Sequence, residues 1–198
     1  MRISYKAKIH YYLCGEIVRD KYLKNRVNYI NEAKAKFDSY GNGWIKYGFP
    51  RLRISGFDAQ TGGFVVYHEK HQFDPTRGVF KIRRGDYEKY ASKVLMKYGM
   101  MVELGSETPG DIKKPDGLLN GKIFDIKGVE GTGKGNILND IKNASKKGAE
   151  VIVLYYHKNH LFDEKQIHES YQKYMRTSKS KRIQHVYYIV DRKLYTLK

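Results

Sequence analysis

Cysteine is nearly absent: Cys14 stands alone in a chain of 198 residues. That excludes a disulfide within the chain and any zinc site built on paired cysteines. Cys14 itself reads as a small buried residue. Long apolar runs are also missing. No stretch approaches the roughly 20 apolar residues that span a bilayer. The start, MRISYKAKIHYYLCG, has too short an apolar run for a signal peptide. A soluble protein is expected, and a specialised export route would leave the sequence looking the same. Acids are in short supply, 21 Asp and Glu against 38 Lys and Arg, so the net charge is +17. An excess of that size points to polyanionic partners, nucleic acid before anionic membrane.

What is present can fold. The apolar fraction of 40% is enough for a core, and the 18 tyrosines can fill that core or, among lysines, stack on unpaired bases. No repeat or low-complexity tract interrupts the chain. Helical spacing runs over 16–38, from Ile17 to Phe37, and SYGNG ends it. RLRIS and GGFVVYH read as short strands. The turn HQFDPTRG, with Asp74-Pro75, is the expected joint between residues 1–78, an accessory, delivery or substrate-binding part, and residues 79–198. Beyond it, Asp86 to Tyr98 predicts a helix with one apolar stripe of Tyr87, Tyr90, Ala91, Val94, Leu95 and Tyr98, stopped at Gly99. MMVEL predicts a strand, and LL-NG-KIFDIKG a hairpin, because Asn-Gly between apolar runs is a strong turn signal. A helix over Ile137–Lys147, a central strand EVIVLYY, a helix over 163–175 and a last hairpin around Asp191-Arg192 follow. The expectation is an α/β fold, a mixed sheet flanked by helices, with an N-terminal α+β extension.

The informative stretch is KPDGLLNGKIFDIKG, residues 114–128. Unpaired carboxylates destabilise a half-buried strand, yet Asp116 and Asp125 both sit in this hairpin. Alternation puts Asp125 and Lys127 on one face and Phe124 and Ile126 on the other. Across a two-residue turn, position 116 falls opposite about 125 or 126. Two carboxylates and one ammonium therefore meet. Carboxylates that close repel unless a cation separates them, and oxygen-only ligation favours Mg²⁺ or Mn²⁺ over zinc. The bland alternative is a turn-forming Asp116 and a surface ion pair between Asp125 and Lys127.

Pro115-Asp116 followed by Asp125-Ile126-Lys127 resembles the PD-(D/E)XK nuclease superfamily. The element order resembles that family's restriction-endonuclease-like core. More narrowly, the segment from about Asp86 to Tyr156 is similar to the tRNA-cleaving C-terminal toxin domains of contact-dependent growth-inhibition proteins and related phage or mobile-element toxins. The resemblance implies that Asp116, Asp125 and the Ile126 carbonyl bind the metal, that Glu88 on the preceding helix binds it through water or holds a second ion, and that Lys127 orients or helps deprotonate the attacking water. It also implies an acidic immunity or antitoxin partner, and a site of action in the cytoplasm reached by delivery as a toxin. A DNA endonuclease of mobile-element origin and a non-catalytic nucleic-acid-binding module are the alternatives.

Other signals weigh less. GVEGTGKG nearly matches a phosphate-binding loop, but Gly135 stands where Ser or Thr should be; it reads better as a basic loop whose Lys134 touches substrate phosphate. Arg83 and Arg84, and Arg176, Lys179, Lys181 and Arg182 in the basic connection before the last hairpin, are further candidates for phosphate contact. The histidine pairs His68/His71 and His157/His160 lack a zinc-protease order. A metal-free ribonuclease could use such a pair as acid and base, but an ordinary surface or structural role is expected of each.

Overall fold

The computed structural model describes residues 24–40, 52–68, 70–71, 84–106, 114–131, 133 and 135–197. Helix α1 covers residues 24–40, two residues past the expected end at 38, and residues 16–23 of the expected helix lie outside the described residues. Strands β1 (Leu52–Phe57) and β2 (Phe64–His68) form an antiparallel pair. Helix α2 (Arg84–Lys97) leads to β3 (Met101–Leu104). The hairpin β4 (Gly117–Leu119) and β5 (Lys122–Val129) follows, then α3 (Asn136–Lys146), β6 (Val151–Tyr156), α4 (Glu164–Thr177) and the hairpin β7 (His185–Val190) and β8 (Lys193–Thr196). A 3₁₀ turn, Asn159–Leu161, joins β6 to α4. The architecture is mixed α/β.

The eight strands form one sheet whose spatial order is their sequence order. The β2–β3, β5–β6 and β6–β7 pairs are parallel and the others antiparallel. The pair β1–β2, from the first part of the chain, therefore continues the same sheet. The expected joint at Asp74-Pro75 lies outside the described residues.

Strand β6 is central, as its unbroken apolar run predicted. Ile152, Leu154 and Tyr156 point into one core with Ile137, Ile141 and Ala144 of α3 and Ile167 and Tyr174 of α4. Val151 and Val153 point into the other, with Ala91, Val94 and Leu95 of α2 and Phe124 and Ile126 of β5. Each large aliphatic or aromatic side chain so buried contributes about 1.5–3 kcal/mol, which fixes β5 between two helical layers. Asp163 caps α4 by accepting from the Gln166 amide at 3.2 Å.

Three expectations are corrected. Tyr90 and Tyr98, placed in the buried stripe of α2, are about half exposed, at 52% and 50%. Each lies at the stripe's margin, where a ring can keep its hydroxyl in water. Helix α2 begins at Arg84, ahead of Asp86. Gly128 and Val129, the first residues of the expected basic loop GVEGTGKG, belong to β5. A Cβ on Gly128 would lie 2.4 Å from the Tyr87 ring, so this glycine lets α2 approach the strand. Among the described residues, no helix is long and apolar enough to cross a membrane.

Candidate active site

Asp116 and Asp125 meet because of register. Gly117 pairs with Phe124, and the Asp116 amide donates to Phe124 O at 3.0 Å, which sets Asp116 opposite Asp125. The intervening turn is Asn120-Gly121, both with positive φ (50° and 80°), the geometry that two-residue hairpins favour. The Asn120 side chain fastens it to β3 by accepting from the Met101 amide at 2.8 Å. Gly117 follows Asp116 for a steric reason: a Cβ there would come within 1.9 Å of Glu103 O on β3. Asp-Gly is thus more than a turn-forming pair.

Both carboxylates are buried, Asp116 at 6% and Asp125 at 0% exposure. Asp116 Oδ2 accepts from the Ile126 amide at 2.5 Å. Lys127 Nζ lies 2.5 Å from Asp125 Oδ2, as alternation along β5 required. This contact is one of charge, since Oδ2 has no hydrogen-bond donor in line with it. A surface pair on a solvated face is excluded by that burial.

A second cation completes the group. Lys147, the residue that closes α3, donates to Asp125 Oδ1 at 2.7 Å and lies 3.8 Å from Asp116 Oδ1. One ammonium therefore bridges two carboxylates. Burial works against its charge, but Asp116 and Asp125 outweigh burial and raise its pKa. The sequence reading missed Lys147, for lysine is ordinary in the last turn of any helix, where it complements the dipole.

Glu88 of α2 joins the same electrostatic centre. The Asp116 carboxyl is pushed well above the usual carboxylate range, first by burial, then by the charges of Asp125 and Glu88, with Lys147 and Lys127 pulling the other way. The balance is three carboxylates against two ammoniums. Asp140 of α3 lies near Lys127, Asp125 and Glu130, and burial pushes it up to about 6. A signal for it existed: Asp140 falls within the apolar stripe of Ile137, Ile141 and Ala144.

Arg83 and Lys134 lie outside the described residues, and Arg84 is described only as the backbone start of α2. Arg176, Lys179, Lys181 and Arg182 are exposed. Their connection is held in place, because the buried Tyr174 hydroxyl donates to Ser180 O at 2.6 Å and accepts from the Ile183 amide at 3.3 Å. Arg182 lies beside the end of α3, its Nη1 3.4 Å from where a Cβ on Gly148 would stand. His157 and His160 are exposed near the 3₁₀ turn. His68 Nδ1 accepts from the Lys70 amide at 3.1 Å. Of the surface or structural role expected of it, His71 takes the structural one: its ring is buried against Glu88.

Among the described residues, no three His, Cys, Asp or Glu side chains already converge as a metal cage. The donor set still fits a hard cation. It is all oxygen and its acidic groups outnumber its ammoniums, while the buried Asp125 Oδ2 has the Lys127 ammonium as its counter-charge. Mg²⁺ uses one or two carboxylates and keeps several waters.

Comparison with known proteins bears on the same segment. Residues 113–194 match the family model described as "Contact-dependent growth inhibition CdiA C-terminal domain". Among curated proteins none matches. A solved structure described as a CdiA-CT/CdiI toxin and immunity complex from Burkholderia pseudomallei aligns at a TM-score of 0.44 and 20% identity, over 64% of this chain and 97% of that one. The stretch from the approach to β4 into β8, which carries Asp116, Asp125, Lys127 and Lys147, is thus similar to the contact-dependent growth inhibition CdiA C-terminal domain family.

Proposed function

We propose that this chain is a metal-dependent nuclease that hydrolyses phosphodiester bonds, RNA and tRNA in particular, and acts as a toxin. The observation that carries the reading is the buried pair Asp116–Asp125 bridged by Lys147, with Lys127 beside it. Burying two carboxylates beneath two half-buried ammoniums is expensive, and a purely structural strand would have no need of it. The family match over 113–194 supports the toxin part of the reading, and the charge of +17 supports a polyanionic substrate.

In this scheme Asp116, Asp125 and the Ile126 carbonyl hold Mg²⁺ or Mn²⁺, with Glu88 reaching it through water. When bound, the ion acts as a Lewis acid on the phosphate and lowers the pKa of bound water. Lys127, in contact with the Asp125 carboxylate, serves as a cation: it orients the attacking water and faces the charge that develops on the phosphate. Lys147 keeps the two carboxylates from repelling one another and offers a second ammonium to the phosphate. Exposed Arg176, Lys179, Lys181 and Arg182 hold flanking phosphates, joined by Lys134, Arg83 and Arg84. An acidic immunity protein is the natural antagonist of so cationic a toxin, which would act in the cytoplasm of the cell it enters.

Purified protein incubated with tRNA or duplex DNA, with Mg²⁺ or Mn²⁺ and with EDTA, tests this. EDTA-sensitive cleavage of tRNA is expected. Cleavage of duplex DNA alone makes it a DNA endonuclease. Salt-dependent binding with no cleavage of either makes it a non-catalytic binding module.

A further inference from the structure

His71 stands just beyond β2, in a turn closed by its own amide donating to His68 O at 2.8 Å. Its side chain is fully buried, at 0% exposure. Nδ1 lies 2.8 Å from Gly105 O. A carbonyl only accepts, so Nδ1 carries a hydrogen and donates it. Nε2 lies 3.3 Å from Glu88 Oε2; a carboxylate also only accepts, so this contact is a hydrogen bond when Nε2 too carries a hydrogen. Gly105 in turn donates its amide to Asp116 O at 2.8 Å. A single ring thus ties three pieces of chain: the turn after β2, the segment that leaves β3 towards Asp116, and the acidic residue of α2. Glu88 is itself only 13% exposed, so its carboxylate needs a partner where it stands. Both His71 and Glu88 lie outside the matched stretch 113–194.

We propose that His71 is a positioning residue: it fixes the Glu88 carboxylate towards Asp116, so that the β1–β2 layer completes the acidic centre. The inference rests on the nuclease reading above. Partners that orient a ligating carboxylate typically contribute about 10–100-fold in metal affinity or activity. The geometry allows the two bonds of the ring to be separated. Asn at position 71 can reproduce the Nδ1 donor to Gly105 but nothing at Nε2. Gln can reach the Nε2 position and the Glu88 oxygen.

The test uses the full chain as wild type, His71→Asn, His71→Gln, Glu88→Gln and the two doubles. The readouts are steady-state cleavage of tRNA, Mn²⁺ binding by calorimetry, and urea unfolding. His71→Asn should lower kcat about 10-fold or more with KM within about twofold, and weaken Mn²⁺ to a similar degree. His71→Gln should recover most of both. In the Glu88→Gln background neither substitution should cost anything further, because the residue it acts through is gone. If His71→Asn does not fold, His71→Gln carries the cycle, and its residual loss should vanish in the same background. Wild-type kinetics and Mn²⁺ binding in a folded His71→Asn protein overturn the proposal, and so does a loss that persists undiminished beside Glu88→Gln. A wild type that cleaves nothing and binds no Mn²⁺ overturns the nuclease reading, and this one with it.

Discussion

The hairpins β4–β5 and β7–β8 share one turn geometry. Asn120 and Gly121 in the first, and Asp191 and Arg192 in the second, all have positive φ, at 50°, 80°, 49° and 60°. Their positions in the sheet differ. β5 has a strand on each side, whereas β8 is at an edge. The first hairpin encloses Asp116 and Asp125 with two lysines. The second leaves Lys193, Tyr195 and Thr196 exposed, with Tyr195 stacked on Tyr188 at 5.3 Å. A charge on the edge hairpin is solvated and worth little, while one in the central hairpin must find a partner. Local turn chemistry thus leaves open where chemistry resides; burial decides it.

The sharpest way to break the contrast is Lys147→Met. It removes the bridge between two buried carboxylates and should destabilise the metal-free protein by about 3–5 kcal/mol in urea unfolding. A loss under about 1 kcal/mol would show that water already solvates the pair. Next is Asp125→Asn, expected to lower cleavage at least about 100-fold, the scale of losing an electrostatic group at a reacting centre. Tyr195→Ser on the other hairpin should leave it within about twofold, and equal losses would erase the distinction.

Asp140→Asn concerns pH. The Asp140 carboxyl is pushed up to about 6 by burial, with Lys127 lowering it and Asp125 and Glu130 raising it. The folded chain therefore favours the protonated acid. That contribution is fully present below about pH 4 and is lost as pH rises to about 6. The Asn variant should flatten stability across that window and gain about 1–2 kcal/mol at pH 7, below the roughly 3 kcal/mol that the full difference would allow. A curve parallel to wild type in thermal unfolding would refute it. The smallest effect is Arg192→Gly, which relieves a left-handed conformation at the edge turn and should stabilise by under about 1 kcal/mol.

Much of this was legible in the sequence. Asn-Gly fixed the register of β4 and β5, period-two alternation placed Lys127 beside Asp125, and the apolar run of β6 announced a central strand. The acid on α2 came from the resemblance, which pointed to Glu88 at the edge of the stripe of Ala91 and Leu95, and both of those residues are buried. What was not legible depended on distance along the chain. Lys147 looks like any last-turn lysine until α3 lays its end over β5, and 22 residues separate it from Asp125. His71 sits in a polar turn, and only the fold shows that its ring is buried against a glutamate 17 residues away. Tyr90 and Tyr98 failed for another reason, since helical spacing cannot tell the centre of a stripe from its margin.

Because spatial order follows sequence order from β1 to β8, every strand after the first is laid on an edge that its predecessor has just created. Among the described residues, no strand has to be threaded between two others already in place. A chain emerging or refolding from one end could zip up progressively, each addition closing only the connection to the strand before it, a tight turn for a hairpin and a helical crossover for a parallel pair, and a cut between two described strands would leave two contiguous ladders and no interleaved halves.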